Sequence, residues 1–294
     1  MAVRFSLVID PVASDDRRES YADTFTVVDP AGPVLPLGEL SAQRGDGIFE
    51  SIGVVDAHAQ EVGPHLQRLA HSAQLCDLPT PNPDQWRAAI DRVAAEAPPG
   101  ESVIKLILSR GVEDGPTPTA WITLADAPDN TRARSEGVRV ATLDRGYARD
   151  VPGRAAWLLL GAKTLSYAMN MAAIREAKRR GADDAVFVTS DGYVLEAPTA
   201  SVVLRLGDRF VTPTPNAGIL HGTTQLSLFA HLEARGFTTA YEAVLLSDLA
   251  SADAAWLLSS VRLAAPISAV DGVAKTVDRV LTDELNAYLL SPRN

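Results

Sequence analysis

Residues 126–137 read "DAPDNTRARSEG", a polar and charged stretch with no apolar period. Everything around it alternates short apolar strands with amphipathic helices, so this stretch constrains the fold more than any other. It reads as a linker. It divides the chain into a smaller N-terminal α/β domain (1–125), an interdomain linker (126–136) and a larger C-terminal α/β domain (137–294). At 294 residues the chain is long enough for two such cores.

Before the linker, "RFSLVI", "FESIGVV", "SVIKLILSR" and "TAWITLA" are predicted strands. "GPHLQRLAHSAQLCDLP" places Leu66, Leu69, Ala70, Ala73 and Leu75 at helical spacing and stops at Pro79. "DQWRAAIDRVAAEAPPG" is a second helix closed by Pro-Pro-Gly. After the linker, "VRVATL" opens the second domain. The apolar run Ala155–Leu160 reads as the end of a strand or a buried approach to one. "SYAMNMAAIREAKRRG" is a helix with basic residues in its last turn and Gly181 beyond it. "DDAVFVTSDGYVLEA" and "SVVLRLGDRFVTP" are hairpins turning at Asp191-Gly192 and Gly207-Asp208. "TQLSLFAHLEARG" is a helix capped by Gly236, "AAWLLSS" a strand and "TVDRVLTDELNAYLL" a final helix.

The formal net charge of −10 argues against nucleic acid or an anionic membrane as the main partner, since both want a basic face. The single cysteine, Cys76, excludes an internal disulfide and a thiolate zinc cluster, and it reads as a small core residue. His58, His65, His71, His221 and His231 give no metal-ligand spacing. The apolar start of the chain is too short for a signal peptide, and no apolar run reaches membrane-span length. A cytoplasmic protein is expected.

Four stretches carry chemistry. In "ILHGTTQLSLF", Gly222, Thr223 and Thr224 precede a helix, where backbone N–H groups and hydroxyls suit a phosphate; the plain alternative is an N-cap threonine. In "HLQRL", His65 and Arg68 share a helical face beside Leu69, and a partly buried guanidinium wants an anion. In "DGYVLEAPTASVVL", Glu196 sits among apolar residues, where a carboxylate needs a cation or donor such as a protonated pyridine nitrogen, unless it simply points to solvent. In "QRGDGIFES", Gly45-Asp46-Gly47 is a tight turn whose glycines allow a close approach to the backbone. A fifth stretch, "GAKTLSYAMN", places Lys163 just after the Ala155–Leu160 run, where an ammonium is either already at the surface or needs a partner.

Taken in order, "GDGIFES", "HLQRL", "KTLSYAMN", "DGYVLEA" and "GILHGTTQ" resemble the motifs of class IV aminotransferases, the fold type IV family of pyridoxal phosphate enzymes, over roughly residues 40–272. The resemblance implies two α/β domains with pyridoxal 5'-phosphate in the interdomain cleft, and a homodimer. It implies that Lys163 carries the cofactor covalently and acts as nucleophile and proton shuttle. Glu196 matches the partner of the pyridine nitrogen. Arg68, Gly222, Thr223 and Thr224 match the phosphate cradle, and Tyr167 a tyrosine near the phenolic oxygen. Ser259 and Ser260 stand where the family often has an Asn-Ser or Gly-Thr pair.

Within the family, the features lean toward a 4-amino-4-deoxychorismate lyase, which releases pyruvate and p-aminobenzoate for folate synthesis. The loop "VEDGPTPT" lacks the arginine and histidine that the D-amino acid enzymes carry after their Arg-Gly. Only Thr164, Leu165 and Ser166 separate Lys163 from Tyr167, where branched-chain enzymes insert more. A class IV aminotransferase acting on D-amino or branched-chain amino acids is the alternative, and a non-catalytic binder of the cofactor a remoter one. Arg44, Arg110 and Arg262 are the candidates for binding the substrate's two carboxylates. Glu50 or Ser51 is the candidate proton donor to the departing pyruvate.

Overall fold

The computed structural model describes residues 2–294, which cluster into two compact units. The first comprises residues up to 128 together with 162–167 and 292–294; the second comprises 129–161 and 168–291. The chain first passes from one unit to the other at residues 128–129, within the stretch 126–136, and then returns to the first unit twice. That stretch is not featureless, because Thr131–Ser135 forms a helical turn.

In chain order the first unit holds β1 (Val3–Ile9), β2 (Phe25–Val28), α1 (Leu40–Gln43), β3 (Gly47–Val55), β4 (His58–Ala59), α2 (Val62–Leu75), α3 (Pro83–Ala94), β5 (Glu101–Ser109) and β6 (Thr119–Asp126). The strands form one six-stranded antiparallel sheet in the order β2-β1-β6-β5-β3-β4. The two-residue period of β3 sends Ile48, Glu50, Ile52 and Val54 to one face. Ile48, Ile52 and Val54 join Leu66, Leu69 and Ala73 of α2 and Trp86, Ile90 and Val93 of α3 in a single core. Asn82 starts α3 by accepting from the backbone N–H groups of Asp84 and Gln85, with Pro83 in the first turn. Leu75 does not belong to the buried face of α2 and is 39% exposed. It lies about two and a half turns beyond Leu66, on the opposite side of the helix.

The second unit holds α4 (Thr131–Ser135), β7 (Val138–Asp144), α5 (Ala168–Arg179), β8 (Asp184–Val188), β9 (Ser201–Leu206), β10 (Arg209–Pro213), α6 (Thr223–Ala234), β11 (Thr238–Glu242), α7 (Leu246–Ser251), β12 (Ala254–Ser259), β13 (Leu263–Val270), β14 (Val273–Ala274) and α8 (Arg279–Leu290). Its mixed sheet runs β11-β10-β9-β12-β13-β7-β8, with β14 beside β13. β7 pairs in parallel with β8 and β13, and β10 with β11; the rest are antiparallel. Both faces are covered, which is why β12 reads as a continuous apolar run. Trp256 and Leu258 pack on α6 and α8 through Leu228, Leu232 and Leu285, while Ala255 and Leu257 face Leu204, Leu249 and Ile267. The turn at Gly207 joins β9 to β10 as its sequence predicts. The return limb of the Asp191-Gly192 turn is looser. Val194 bridges Val188, and Leu195 and Glu196 exchange backbone bonds with Phe187 without forming a regular strand.

The apolar run Ala155–Leu160 is not a strand, and beyond buried Ala155 it is not buried. Ala156–Leu158 form a 3₁₀ turn closed by Leu158 and Leu159 N–H bonds to Ala155 and Ala156, and Leu159 is left-handed at φ 51°. The backbone satisfies itself locally, and Trp157 stands 78% exposed.

Candidate active site

Residues 162–167 run along β3 as an irregular extra strand. Thr164 bridges Ile48 antiparallel, Phe49 N–H donates to the Lys163 carbonyl (2.9 Å) and Leu165 N–H to the Gly47 carbonyl (2.7 Å). This explains the glycines of the Gly-Asp-Gly turn. A Cβ on Gly47 would lie 2.8 Å from both Leu108 O and Leu165 Cδ1, and Gly45, at φ +67°, lies against Ser166. What approaches the backbone there is the lysine segment itself. Behind it, Lys163 N–H donates to Oγ of buried Ser72 on α2 (3.1 Å). The Lys163 amine lies 4.4 Å from the Phe49 ring centre and 3.4 Å from the Tyr167 hydroxyl, and the two rings meet edge to face at 5.1 Å. Phe49 and Ser51 point to the face of β3 opposite Glu50.

On that other face Glu50 is fully buried, and Arg68 holds it in a fork: Nε to Oε1 and Nη2 to Oε2, both 2.7 Å. His65 Nδ1 lies 2.7 Å from Oε2 and is itself fully buried. Burial alone would push the Glu50 carboxyl up. The charge and hydrogen bonds of Arg68, with the hydrogen bond of His65, outweigh it and hold the group far below the usual carboxylate range. Burial lowers His65, against the opposing pull of Glu50. The imidazole is therefore neutral, and Nδ1–H donates to the carboxylate. The anion sought for Arg68 is thus found inside the protein. Glu50 has no proton to give, which corrects its expected part as an acid; Ser51 is unaffected.

In the second unit, Glu196 Oε2 accepts from Leu220 N–H (3.1 Å). α6 begins at Thr223 with Gly222 as N-cap and no capping side chain, so neither threonine is an N-cap. The Thr223 and Thr224 hydroxyls lie 3.3 and 3.2 Å from Ser260 Oγ. A Cβ on Gly222 would fall 2.3 Å from Ser201 Oγ, so any larger residue would force that hydroxyl to move. Ser259 Oγ turns instead to its own chain and accepts from Arg262 N–H (3.2 Å). Tyr147, which the sequence did not single out, has its phenol pushed up by burial; Arg145 opposes this and the Glu196 charge adds to it.

The arginines expected to meet substrate carboxylates have partners in the fold. Arg110 uses Nε on Asp46 and its two other nitrogens on the Asp77 and Cys76 carbonyls. Arg262 pairs with buried Asp184 at 2.7 Å and reaches Thr199 Oγ1 at 3.3 Å. Arg44 meets Glu113 at the exposed surface. Arg110 and Arg262 thus each hold an ion pair within the protein. Sequence reading also passed over Ser72, Phe49, Ser201 and Asp184. Only Ser72 carried a signal, lying at helical spacing from His65 and Arg68.

In the first unit a lysine amine on an aromatic face and a fixed guanidinium, and in the second a carboxylate oxygen and a helix N-terminus lined with hydroxyls, are groups of the chemistry that pyridoxal 5'-phosphate requires. The residues present fit the group. The chain belongs to the class IV aminotransferases, whose family pattern it matches over residues 47–270, and it is an enzyme that uses pyridoxal 5'-phosphate. It is 41% identical to the bifunctional aminodeoxychorismate lyase / D-amino acid transaminase of Mycobacterium tuberculosis, over 91% of this chain and 97% of that one. A fold IV transaminase from Curtobacterium pusillum superposes with TM-score 0.92 at 45% identity, over 97% of both chains. The pyridoxal phosphate-bound form of a hypothetical aminotransferase from M. tuberculosis superposes with TM-score 0.88 at 39% identity, over 99% of this chain and all of that one. Among the described residues, no helix is long and apolar enough to cross a membrane.

Proposed function

We propose that this enzyme is a 4-amino-4-deoxychorismate lyase, releasing pyruvate and p-aminobenzoate, and that it also transaminates D-amino acids. The observation that carries the reading is the step from Lys163 to Tyr167, with amine and hydroxyl 3.4 Å apart over Phe49, in a chain whose M. tuberculosis relative is described with both activities. When bound, the cofactor supplies an electron sink that acidifies the hydrogen on the amine-bearing carbon. Lys163 Nζ takes that proton. Glu196 would hold the proton of the pyridine nitrogen. Arg68, Thr223, Thr224 and Ser260 would hold the phosphate, and Tyr167 would hold the phenolic oxygen. In the lyase reaction, Lys163 Nζ returns a proton to the methylene carbon of the departing pyruvate, since Glu50 is ionised; Ser51, on the Phe49 face, is the other donor to test.

Transamination is favoured by the engagement of Arg110 and Arg262, which leaves fewer cations for a dicarboxylate. The same reading includes a place in folate supply, a cytoplasmic location and a homodimer, the last tested by light scattering. The deciding experiment supplies aminodeoxychorismate in one reaction and D-alanine or a branched-chain amino acid with 2-oxoglutarate in others. Release of p-aminobenzoate with pyruvate establishes the lyase. Glutamate without p-aminobenzoate overturns it in favour of an aminotransferase.

A further inference from the structure

Glu50, His65 and Arg68 form a charged cluster enclosed between β3 and α2. Glu50 and His65 are both 0% exposed, and the Arg68 side chain is 11% exposed. Such a cluster is a poor way to gain stability. Desolvating the charges costs about as much as their attraction returns, and apolar residues of the same volume commonly do as well. Its geometry serves a different end. A two-point fork fixes both the position and the plane of the guanidinium. The Nδ1–H of His65 fixes the carboxylate in turn, on the very oxygen that receives Arg68 Nη2. His65 and Arg68 stand three residues apart on one helix, and Glu50 comes from the strand against which that helix packs, so sheet and helix together set where the cation lies.

We propose that Glu50 and His65 are positioning residues for Arg68: they hold its guanidinium in place before the cofactor arrives, so that the phosphate meets a cation already oriented. This rests on the reading of Arg68 as a phosphate ligand. Preorganisation of this kind lowers the ordering cost of binding. Neither residue needs to touch the cofactor. Their effect should therefore appear only in ligands that carry the phosphate.

The test uses the full-length protein freed of cofactor, titrated with pyridoxal 5'-phosphate and separately with pyridoxal, which lacks the phosphate. Binding is followed by visible absorbance and equilibrium dialysis. The quantity read is the preference for the phosphorylated form, the ratio of the two Kd values. Glu50→Gln is expected to lower this preference about 10- to 100-fold, as loss of an orienting partner commonly does, with pyridoxal affinity unchanged. Arg68→Ala lowers it comparably, and Glu50→Gln added to Arg68→Ala lowers it no further. His65→Asn leaves the ion pair intact and is expected to lower the preference several-fold; with Glu50→Asp it carries the test if Glu50→Gln does not fold. Equal weakening of both ligands, an unchanged preference in His65→Asn and Glu50→Asp, or a further loss in the Arg68→Ala background would each overturn the proposal. If the wild-type protein gives no absorbance change with either ligand, the cofactor reading itself falls; if it binds and the variants keep the wild-type preference, the positioning role alone falls.

Discussion

In the first unit, the Lys163 segment is held by strand-like bonds, Phe49 N–H to the Lys163 carbonyl and Leu165 N–H to the Gly47 carbonyl, and on the other face of β3 a carboxylate, an imidazole and a guanidinium are locked at 2.7 Å. In the second unit, Thr223, Thr224 and Ser260 meet through neutral hydroxyls 3.2–3.3 Å apart, and a glycine gives them room. The second unit does bury an ion pair, Arg262–Asp184, but spends it on the turn after β12. The contrast has an energetic reading. A half-broken buried charge pair leaves an uncompensated ion, a loss of several kcal/mol, whereas a lost neutral hydroxyl costs about a kcal/mol and is partly replaced by water. The first unit should fail abruptly and the second by degrees.

The sharpest break is Lys163→Ala. If Lys163 is both nucleophile and base as proposed, the change should remove the visible absorbance of the bound cofactor and lower turnover by about 10⁴-fold or more; assays of p-aminobenzoate and glutamate release check it. Residual turnover within tenfold of wild type would assign the chemistry elsewhere. Next, Glu50→Ala leaves Arg68 charged and partly buried and is expected to cost about 3–5 kcal/mol in urea unfolding, against about 1 kcal/mol for Ser260→Ala in the second unit. If the two lose equally, the contrast between the units fails.

Acid sharpens the comparison in the same direction. Glu50 has a folded-state pKa held below its unfolded value, so its contribution is present above the ordinary glutamate range and is lost as pH falls toward the folded value. His65 is lowered too, so between its folded pKa and about 6.5 the unfolded chain binds a proton the folded chain does not, and stability again falls with pH. The urea midpoint should drop between pH 7.5 and 5.5, and His65→Gln should flatten that slope; an unaltered slope places the titration elsewhere.

The smaller effects lie in the second unit. Gly222→Ala is expected to cost about 1–3 kcal/mol through overpacking. Ser201→Ala should relieve most of this, because the added Cβ then meets the residue 201 Cβ at 3.4 Å and the Gln225 Cβ at 3.5 Å, both ordinary contacts. Thermal melting of the single and double variants reads the rescue directly. Ser260→Ala should weaken pyridoxal phosphate only about 3- to 10-fold, the scale of one hydrogen bond, with pyridoxal unaffected.

Much of the frame was legible because it is local. The Gly207 turn flanked by alternating apolar residues specifies β9 and β10, and the spacing of Leu66, Leu69 and Ala73 specifies α2. What failed was the pairing of distant residues. Arg68 showed a need for an anion, but choosing Glu50, a strand and a turn away, requires knowing how α2 packs on β3. Arg110 and Arg262 looked available because the carbonyls of Cys76 and Asp77, and the carboxylate of Asp184, leave no mark near them in sequence. Trp157 was misjudged because an unbroken apolar run has no period to tell a buried strand from an exposed turn.

One helix links two of these features. α2 presents His65, Arg68 and Ser72 along a single polar stripe, so it meets both the Glu50 carboxylate and the Lys163 backbone. Arg68 and Ser72 are four residues apart, about 6 Å along the axis and nearly in phase. The helix thereby acts as a gauge block between the Arg68 guanidinium and the lysine. Its tolerance is angular as well as linear: one residue inserted between positions 68 and 72 would swing Ser72 by about 100° and lengthen the gap by only about 1.5 Å. Length variation in this family member should therefore be far better accepted in the loops flanking α2 than within that single turn.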